Sequence, residues 1–522
     1  MIKVNNITIP VGFDQNQVLK SKLIKELGNA KIIHFDVIKK SIDARDKSDI
    51  KYVYNVAVEL ENESLLLKKG FDKFDNSCND LEQTFGKLKY PSDKASPIIV
   101  GSGPSGLFLA LALALSGAKP IIFERGKDVV GRQEVINKFN KFGILDTNCN
   151  VQFGEGGAGT FSDGKLNSGI NNEYVKMVLR EFVNCGAPNE IEYLAKPHMG
   201  TDNLVNVVVN IRKKIEDLGG KVYFDSLVSD VIMTKDKISG VVVNGNKYMS
   251  DTVIFAIGHS ARDTYYMLNN CGLEMTQKGF SLGVRIEHLQ SDLNMAQYGK
   301  MGSKLPSADY KLAVHLKERS LYTFCMCPGG KVINASSEKG QICINGMSKF
   351  GRDEINGNSA LLVGINPEDF GSDSPLAGIE LQRRYERKAF EISNSYRPPC
   401  QLLGDFMQDK VSTNLGKVNP SVSGGFVFGN LNDCLPSFVA STIKNGVPIM
   451  ARRLRGFDMY DSVLTGIEAR SSSPVRITRD SNYNTSISGL YAVGEGSGYA
   501  GGITSSAVDG IKCGLALLNS II

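Results

Sequence analysis

Residues 96–125, SPIIVGSGPSGLFLALALALSGAKPIIFER, contain in order every part of a dinucleotide-binding βαβ unit. A short apolar β-rich run, Pro97 to Val100, leads into Gly101-Ser102-Gly103-Pro104-Ser105-Gly106, which spells G-x-G-x-x-G. A Leu/Ala-rich helix follows, Gly117 stops it, and a second strand from Pro120 to Phe123 ends on Glu124. Gly101 permits the tight turn, Gly103 lets the backbone approach a pyrophosphate, and Gly106 lets the helix pack on the strand. The phosphates then sit at a helix N-terminus, where free N–H groups and the helix dipole favour anions. Glu124 lies roughly 20 residues past the last glycine, the reach at which a carboxylate accepts hydrogen bonds from ribose hydroxyls. A carboxylate there repels a 2′-phosphate, so the expected nucleotide is the adenosine half of FAD or NAD rather than NADP.

At 522 residues the chain has room for two or three domains. A hydrophobic content of 42% with 22% charged residues is that of a globular protein able to bury a large core. The formal charge of +5, from 60 basic and 55 acidic residues, does not by itself call for nucleic acid. Ten cysteines, scattered from Cys78 to Cys513, lack the dense spacing of a secreted disulfide framework, and no C-x-x-C pair suggests zinc or a thioredoxin-type centre. The amino terminus has no basic region followed by an apolar core, and the longest apolar run, Leu107 to Leu115, is too short to span a bilayer. The expectation is a cytoplasmic protein without a membrane span.

Four segments are expected. Residues 1–92 read as a small α+β domain, with strands near Ile7, Ile32 to Ile38 and Tyr52 to Leu60 and a helix around Gln17 to Leu27. Residues 93–275 and 471–522 form the nucleotide domain, and residues 276–470, of mixed strands and little periodicity, an inserted substrate domain. Lys39, Lys40, Arg45 and Lys47 make a basic patch in the first domain. It reads as a solvated helix face or as a contact surface for RNA or a protein partner. After a helix over Asn203 to Lys214, alternating strands at Lys221 to Phe224, Val228 to Thr234, Ile238 to Asn244 and Lys247 to Met249 predict an antiparallel meander. A buried strand, Thr252 to Ile257, then ends at Gly258 and His259.

That order resembles the way flavoproteins of the glutathione-reductase superfamily return to their nucleotide sheet. The C-terminal segment GLYAVGEGSGYAGGITSSAVDGIKCGLALL resembles their second FAD signature, with Glu495 where an Asp is usual. The helix from about Ile503 then points its N-terminus at the flavin ring and stabilises negative charge there. Asn150 to Ser168 holds five glycines and reads as a loop laid against the flavin, anchored by Val151, Phe153 and Phe161. No second G-x-G-x-x-G follows a later strand, so the chain either binds NAD(P)H transiently or takes electrons from its substrate.

Several further stretches resemble a bacterial family of FAD-dependent, or NAD(FAD)-utilising, dehydrogenases whose substrate is unassigned. They include KKSIDAR (39–45), NVQFGEGGAGTFSDGKL (150–166), KPHMGTD (196–202), AIGHSARDT (256–264), GVRIEH (283–288), YTFCMCPGG (322–330), NGMS (345–348) and LTGIEARSSSPVRI (464–477). The resemblance covers nearly the whole chain. One departure is Val130-Gly131 where the family tends to have acidic residues before the arginine equated with Arg132.

The resemblance implies an α/β fold: a Rossmann-like FAD-binding domain, an inserted α+β substrate domain and the small N-terminal domain. It implies non-covalent FAD. The residues expected to hold it are Gly101, Gly103, Pro104, Ser105, Gly106, Glu124, Arg125 and Arg132, then Gly157, Ala158, Gly159 and Thr160 of the glycine-rich loop. Val228, Gly258, Gly494, Glu495, Gly502, Ile503 and Thr504 complete the set. Lys165 is expected either to pair with a substrate carboxylate or the flavin or to be a surface lysine, and His259 to act as acid or base or as a structural hydrogen bonder. Arg285 and His288 either hold an anionic substrate or form a salt bridge with Glu287 or another acid. Cys325 and Cys327, alternating on a strand, read as two buried thiols, because a C-x-C bridge is strained. The function expected is hydride transfer between flavin N5 and a small or lipid-like organic molecule. The alternatives are an RNA- or protein-binding flavoprotein with a structural or sensing flavin, and a flavin monooxygenase.

Overall fold

The computed structural model describes residues 1–28, 30–75, 80–169 and 172–521; Cys78 lies outside them. Strands Leu490–Ala492, Val253–Phe255, Ile98–Val100, Ile121–Phe123 and Lys221–Tyr223 pair side by side, all parallel, in that order. Lys221–Tyr223 is therefore the edge of this sheet rather than the first strand of the predicted meander; it continues the sheet next to Ile121–Phe123. The meander itself has three strands, Val228–Thr234, Lys237–Val243 and Asn246–Met249. The tight reversal at Asn244-Gly245 has both residues at positive φ, 48° and 81°, which is why Asn and Gly stand there.

The helix Pro104–Leu115 is buried from Ser105 to Ala114, on every side. One side faces the sheet, and the C-terminal helix Ile503–Ile521 covers another. The two helices meet where Gly510 faces Ser105; a Cβ at Gly510 would lie 2.2 Å from the Ser105 carbonyl oxygen. A helix clad on all sides reads as uniformly apolar instead of amphipathic, and that is what the Leu/Ala run shows.

Residues between the paired strands Met275–Gln277 and Val475–Ile477 build a second, seven-stranded sheet. Its order is Ala313–His315, Ser320–Cys327, Asn356–Ile365, Phe280–Leu289, Val463–Glu468, Pro399–Leu402 and Val427–Phe428. The central strands are buried on both faces. Leu282, Val284 and Ile286 join the apolar core that includes the helix Ser437–Ala451, while Arg285 and Glu287 occupy the opposite, buried polar face.

The first strands form a four-stranded sheet, ordered Ile32–Asp43, Lys51–Leu60, Ile2–Pro10 and Asp72–Lys73, with the helix Gln15–Glu26 packed against it. The basic patch is no helix face: Lys39 and Lys40 lie on the first of these strands. Three of its cations are used within the chain, and Arg45 pairs with Asp43 at 2.6 and 2.8 Å. Lys40 exchanges backbone hydrogen bonds with Tyr193 and Ala195 and sits 4.8 Å from the Tyr52 ring centre, and Lys47 donates to the Ala296 carbonyl at 2.6 Å.

A buried ion network fastens the two larger sheets together. Glu386, on the helix Ala377–Ser393, accepts from Arg262 at 2.8 and 2.9 Å and from Arg470 at 2.7 and 2.8 Å. Burial opposes the charge on Glu386, but the two guanidinium groups outweigh it and hold the carboxyl down at about 2. Because that value lies below the ordinary 4.5, the group's stabilisation is complete above the ordinary range and is lost as pH falls from 4.5 towards about 2. Glu386→Gln is expected to cost ~3–5 kcal/mol at neutral pH by leaving buried Arg470 without its carboxylate and Arg262 with Glu338 alone, and to flatten the acid limb of stability against pH. Denaturant unfolding of both proteins between pH 3 and 7 measures this.

Candidate functional site

A cleft of about 380 Å³ runs between the parallel sheet and the seven-stranded one. Its floor at one end is the turn after Ile98–Val100, where Gly101 adopts φ 105° and a Cβ would strike the Ala256 carbonyl at 2.5 Å. Gly103, Pro104 and Ser105 continue the floor. Gly103 caps the helix Pro104–Leu115 without a side-chain partner, so first-turn N–H groups point at whatever anion enters. Gly106 stays beneath the surface: a Cβ there would meet the Gly101 carbonyl at 2.1 Å, in keeping with the close helix–strand contact expected of it.

Glu124 reaches this floor and is already saturated. One carboxylate oxygen accepts the backbone N–H and hydroxyl of Ser102, at 2.9 and 2.8 Å, and the other accepts the N–H groups of Gly126 and Gly154, both at 3.0 Å. Its work within the chain is therefore to tie three loops together. Arg125 lines the cleft mouth, bound to Asp263 at 2.9 and 3.1 Å.

The glycine-rich loop forms the next wall. Gly157, Ala158 and Gly159 line it, and Gly157, at φ 63°, lies so close to the phosphate loop that a Cβ would stand 3.1 Å from Gly103 Cα. Val151, Phe153 and Phe161 are buried beneath it as expected. Thr160 is buried with its hydroxyl on the Glu155 carbonyl, and does not line the cleft. Arg132 requires correction: it is wholly buried and faces away from the cleft. Its three guanidinium nitrogens donate to the carbonyls of Asn150, Val151 and Glu155 at 2.7 to 2.9 Å. Burial draws its guanidinium down to about 10, still cationic at neutral pH.

Val228, Gly258 and His259 line the far side, with Glu495, Gly502 and Ile503 facing them. Glu495 accepts the Gly502 N–H and lies 3.6 Å from His259 Nε2, while His259 Nδ1 meets the Ser260 hydroxyl at 3.0 Å. Burial lowers the His259 pKa, so the imidazole is neutral at pH 7. Gly494 and Thr504 support this wall from behind. A Cβ on Gly494 would strike Ser105 Oγ at 2.4 Å, and the Thr504 hydroxyl donates to the Leu166 carbonyl at 2.9 Å. Tyr265, which the sequence did not single out, bonds the carbonyls of Gly496 at 2.7 Å and Gly258 at 3.3 Å with one buried hydroxyl.

Another wall is built from two sheets: Cys325 and Glu468 of the seven-stranded sheet, Arg470 just past its strand Val463–Glu468, and Asn345 of the strand Ile344–Met347, which pairs with Lys331–Asn334, face Lys165 across the cleft. Lys165 pairs with Asp163 at 3.1 Å and donates to the Met326 carbonyl. Burial works against its ammonium, but Cys325 and Asp163 raise its pKa overall. Arg285 also needs correction: wholly buried, it lies behind this wall and not in it. Its partner is Glu468, at 2.7 and 3.1 Å, rather than Glu287, and it also donates to Asn358 at 2.7 Å. His288 is buried against Phe457, and its Nε2–H donates to that residue's carbonyl, 2.9 Å away. The wall residues lie in stretches that the sequence flags only by resemblance, since no spacing rule relates Cys325 to Arg470.

The donor set suits an FAD molecule laid along this cleft. Glycines leave room for backbone to approach a pyrophosphate at one end, two helix N-termini point inward, and a wall carrying Lys165 and Arg470 beside Asp163 and Glu468 stands at the other end. Among the described residues no group of His, Cys, Asp and Glu suits a metal ion, and no helix is long and apolar enough to cross a membrane.

Residues 279–471 match the family described as FAD-dependent protein, C-terminal domain-like, and residues 1–59 match a domain of unknown function. An uncharacterised protein of Clostridium beijerinckii is 46% identical over 98% of this chain and 97% of its own length. Among solved structures, the glycerol-3-phosphate dehydrogenase of Bacillus halodurans complexed with FAD aligns over 85% of this chain and 67% of its own. Its identity is 11% and its TM-score 0.35. A geranylgeranyl bacteriochlorophyll reductase-like protein of Thermoplasma acidophilum aligns over 82% and 78%, with 12% identity and a TM-score of 0.37.

Arg132→Met is expected to strand three buried carbonyls and to cost ~3 kcal/mol of stability. Urea unfolding checks this, and protease cleavage within residues 150–166 should accelerate in the variant.

Proposed function

Since the chain belongs to the family of the Clostridium beijerinckii protein and carries the C-terminal domain of FAD-dependent proteins over residues 279–471, we propose that it is an FAD-dependent oxidoreductase. The observation that carries this reading is the single continuous cleft, from the glycine cradle at Gly101 and Gly103 to the Lys165 wall. The parallel sheet with its attached meander supports a glutathione-reductase-like arrangement of the nucleotide-binding part.

Gly103, Ser105 and Gly157 would hold the pyrophosphate, and Glu495, Gly502 and Ile503 the ribityl and ring end. FAD bound there, non-covalently, supplies a centre that accepts or gives a hydride at N5. The chain's own groups do the rest. Lys165, fixed by Asp163 and the Met326 carbonyl, presents a cation to an acidic substrate group. Neutral His259, beside Glu495, holds or passes a proton at Nε2. Arg470 lines the wall while pinned by Glu386, so its charge is fixed in direction and costs no reorganisation when a substrate arrives.

Purified protein should carry the visible bands of oxidised flavin, and acid should release the flavin as intact FAD. Gly103→Val is expected to weaken FAD binding at least tenfold with secondary structure intact. Lys165→Met should keep the flavin and lose turnover. A folded protein that neither contains FAD nor takes it up overturns the proposal. Anaerobic addition of NADH and of NADPH then identifies the donor: bleaching by one assigns a nicotinamide half-reaction, and bleaching by neither assigns flavin reduction to the substrate.

A further inference from the structure

Cys325 departs from ordinary strand geometry. On a regular strand, residues two apart are separated by roughly 6.8 Å with parallel side chains, the upper edge of what a disulfide spans. Here the strand Ser320–Cys327 carries one extra residue against its neighbour: Phe324 pairs with Ala360, and Cys327 with Asn358. The bulge places Cys325 at φ 43°, a left-handed conformation that costs a non-glycine residue about 1 kcal/mol or more. A glycine would relieve that cost, yet a thiol stands there.

The bulge turns Cys325 into the cleft, half-buried, and folds Cys327 in behind it. Cys327 Sγ lies 3.4 Å from the Cys325 carbonyl oxygen and 3.9 Å from an Arg285 guanidinium nitrogen. The expectation of two buried, inert thiols is thus corrected for Cys325. Its surroundings favour a thiolate. A hydrogen bond from the Cys327 thiol, then the Lys165 ammonium and the Arg285 guanidinium, pull its pKa well below the usual thiol range despite burial. Cys327, donating that hydrogen bond, is pushed well above the range. The remaining described cysteines have no such setting, and burial pushes the thiols of Cys149, Cys185, Cys271, Cys343, Cys400, Cys434 and Cys513 upward.

We propose that Cys325 and Cys327 form a reversible dithiol–disulfide couple in the cleft wall, with Cys325 as attacking thiolate, Cys327 as resolving thiol and an organic disulfide as the oxidant. Cys325 Sγ attacks one sulfur of the disulfide R–S–S–R, forming a mixed disulfide as one RS⁻ leaves. Cys327 then gives up its proton, which that thiolate takes, and attacks Cys325 Sγ, expelling the second RS⁻. The S–S bond of the oxidant is replaced by one between Cys325 and Cys327, and two electrons pass from the pair to the two released thiols. The bulge and the place of Cys325 in the cleft wall do not involve FAD, so the proposal stands whether or not FAD occupies the cleft.

The full-length protein, reduced and then freed of reductant, is treated with hydroxyethyl disulfide, alkylated with iodoacetamide and mapped by mass spectrometry. The expected result is a Cys325–Cys327 bridge, reversed by dithiothreitol. Cys327→Ser should stall with one mercaptoethanol adduct on Cys325, and Cys325→Ser should give neither product. In the untreated protein, alkylation of Cys325 should change less than twofold between pH 6.5 and 8, where an ordinary thiol changes more than tenfold. A Cys325 that alkylates with the ordinary pH dependence, or a Cys327→Ser variant that takes up no adduct while circular dichroism shows it folded, overturns the proposal.

Discussion

Two buried side chains of opposite charge make the cleft a fixed shape. The stretch 150–166 contains almost no regular secondary structure, so its backbone groups need partners from elsewhere. Glu124 accepts N–H groups from Ser102, Gly126 and Gly154, and Arg132 donates to the carbonyls of Asn150, Val151 and Glu155. Glu155 extends the arrangement by accepting the Val129 N–H at 2.9 Å and pairing with Arg212 at 2.6 Å. The turn after Ile98–Val100 and the glycine-rich loop are thereby held in contact at Gly103 and Gly157, and a Cβ on Gly157 would stand 3.1 Å from Gly103 Cα.

The same device recurs at the opposite wall. Arg285 with Glu468, and Glu386 between Arg262 and Arg470, are ion pairs with their remaining hydrogen-bonding capacity largely spent on nearby amides and carbonyls. Buried pairs of this kind add little net stability over apolar packing, but breaking one partner is expensive. What they supply is position. Cys325 belongs to the seven-stranded sheet, Arg470 follows its strand Val463–Glu468, and Lys165 belongs to the glycine-rich loop, yet all three face one space because Arg262 anchors one sheet to the other.

Much of the nucleotide end was legible from local rules. Gly101 and Gly106 each fill the steric role that the motif assigns, since close backbone approach is written directly into residue type. The anchors Val151, Phe153 and Phe161 were legible for the same reason. Arg132 and Arg285 were misplaced because a sequence gives an arginine's charge without the direction of its side chain. The seven-stranded sheet was illegible because burial on both faces removes the alternation that marks a strand: along Phe280–Leu289 the polar residues Arg285 and Glu287 are as buried as the apolar ones.

By itself the sequence determined the βαβ unit, the tight strand-to-helix turn and the loop where glycines take the close contacts, because these follow from φ, from the missing Cβ and from apolar runs. The tertiary structure alone decided the reactive wall. Cys325, Lys165, Asn345 and Arg470 are far apart in the chain, and only the pairing of strands, one bulged residue and a buried Arg–Glu–Arg network bring them to face one another. Long-range placement of this kind depends on which buried charges find each other, and no local pattern encodes that.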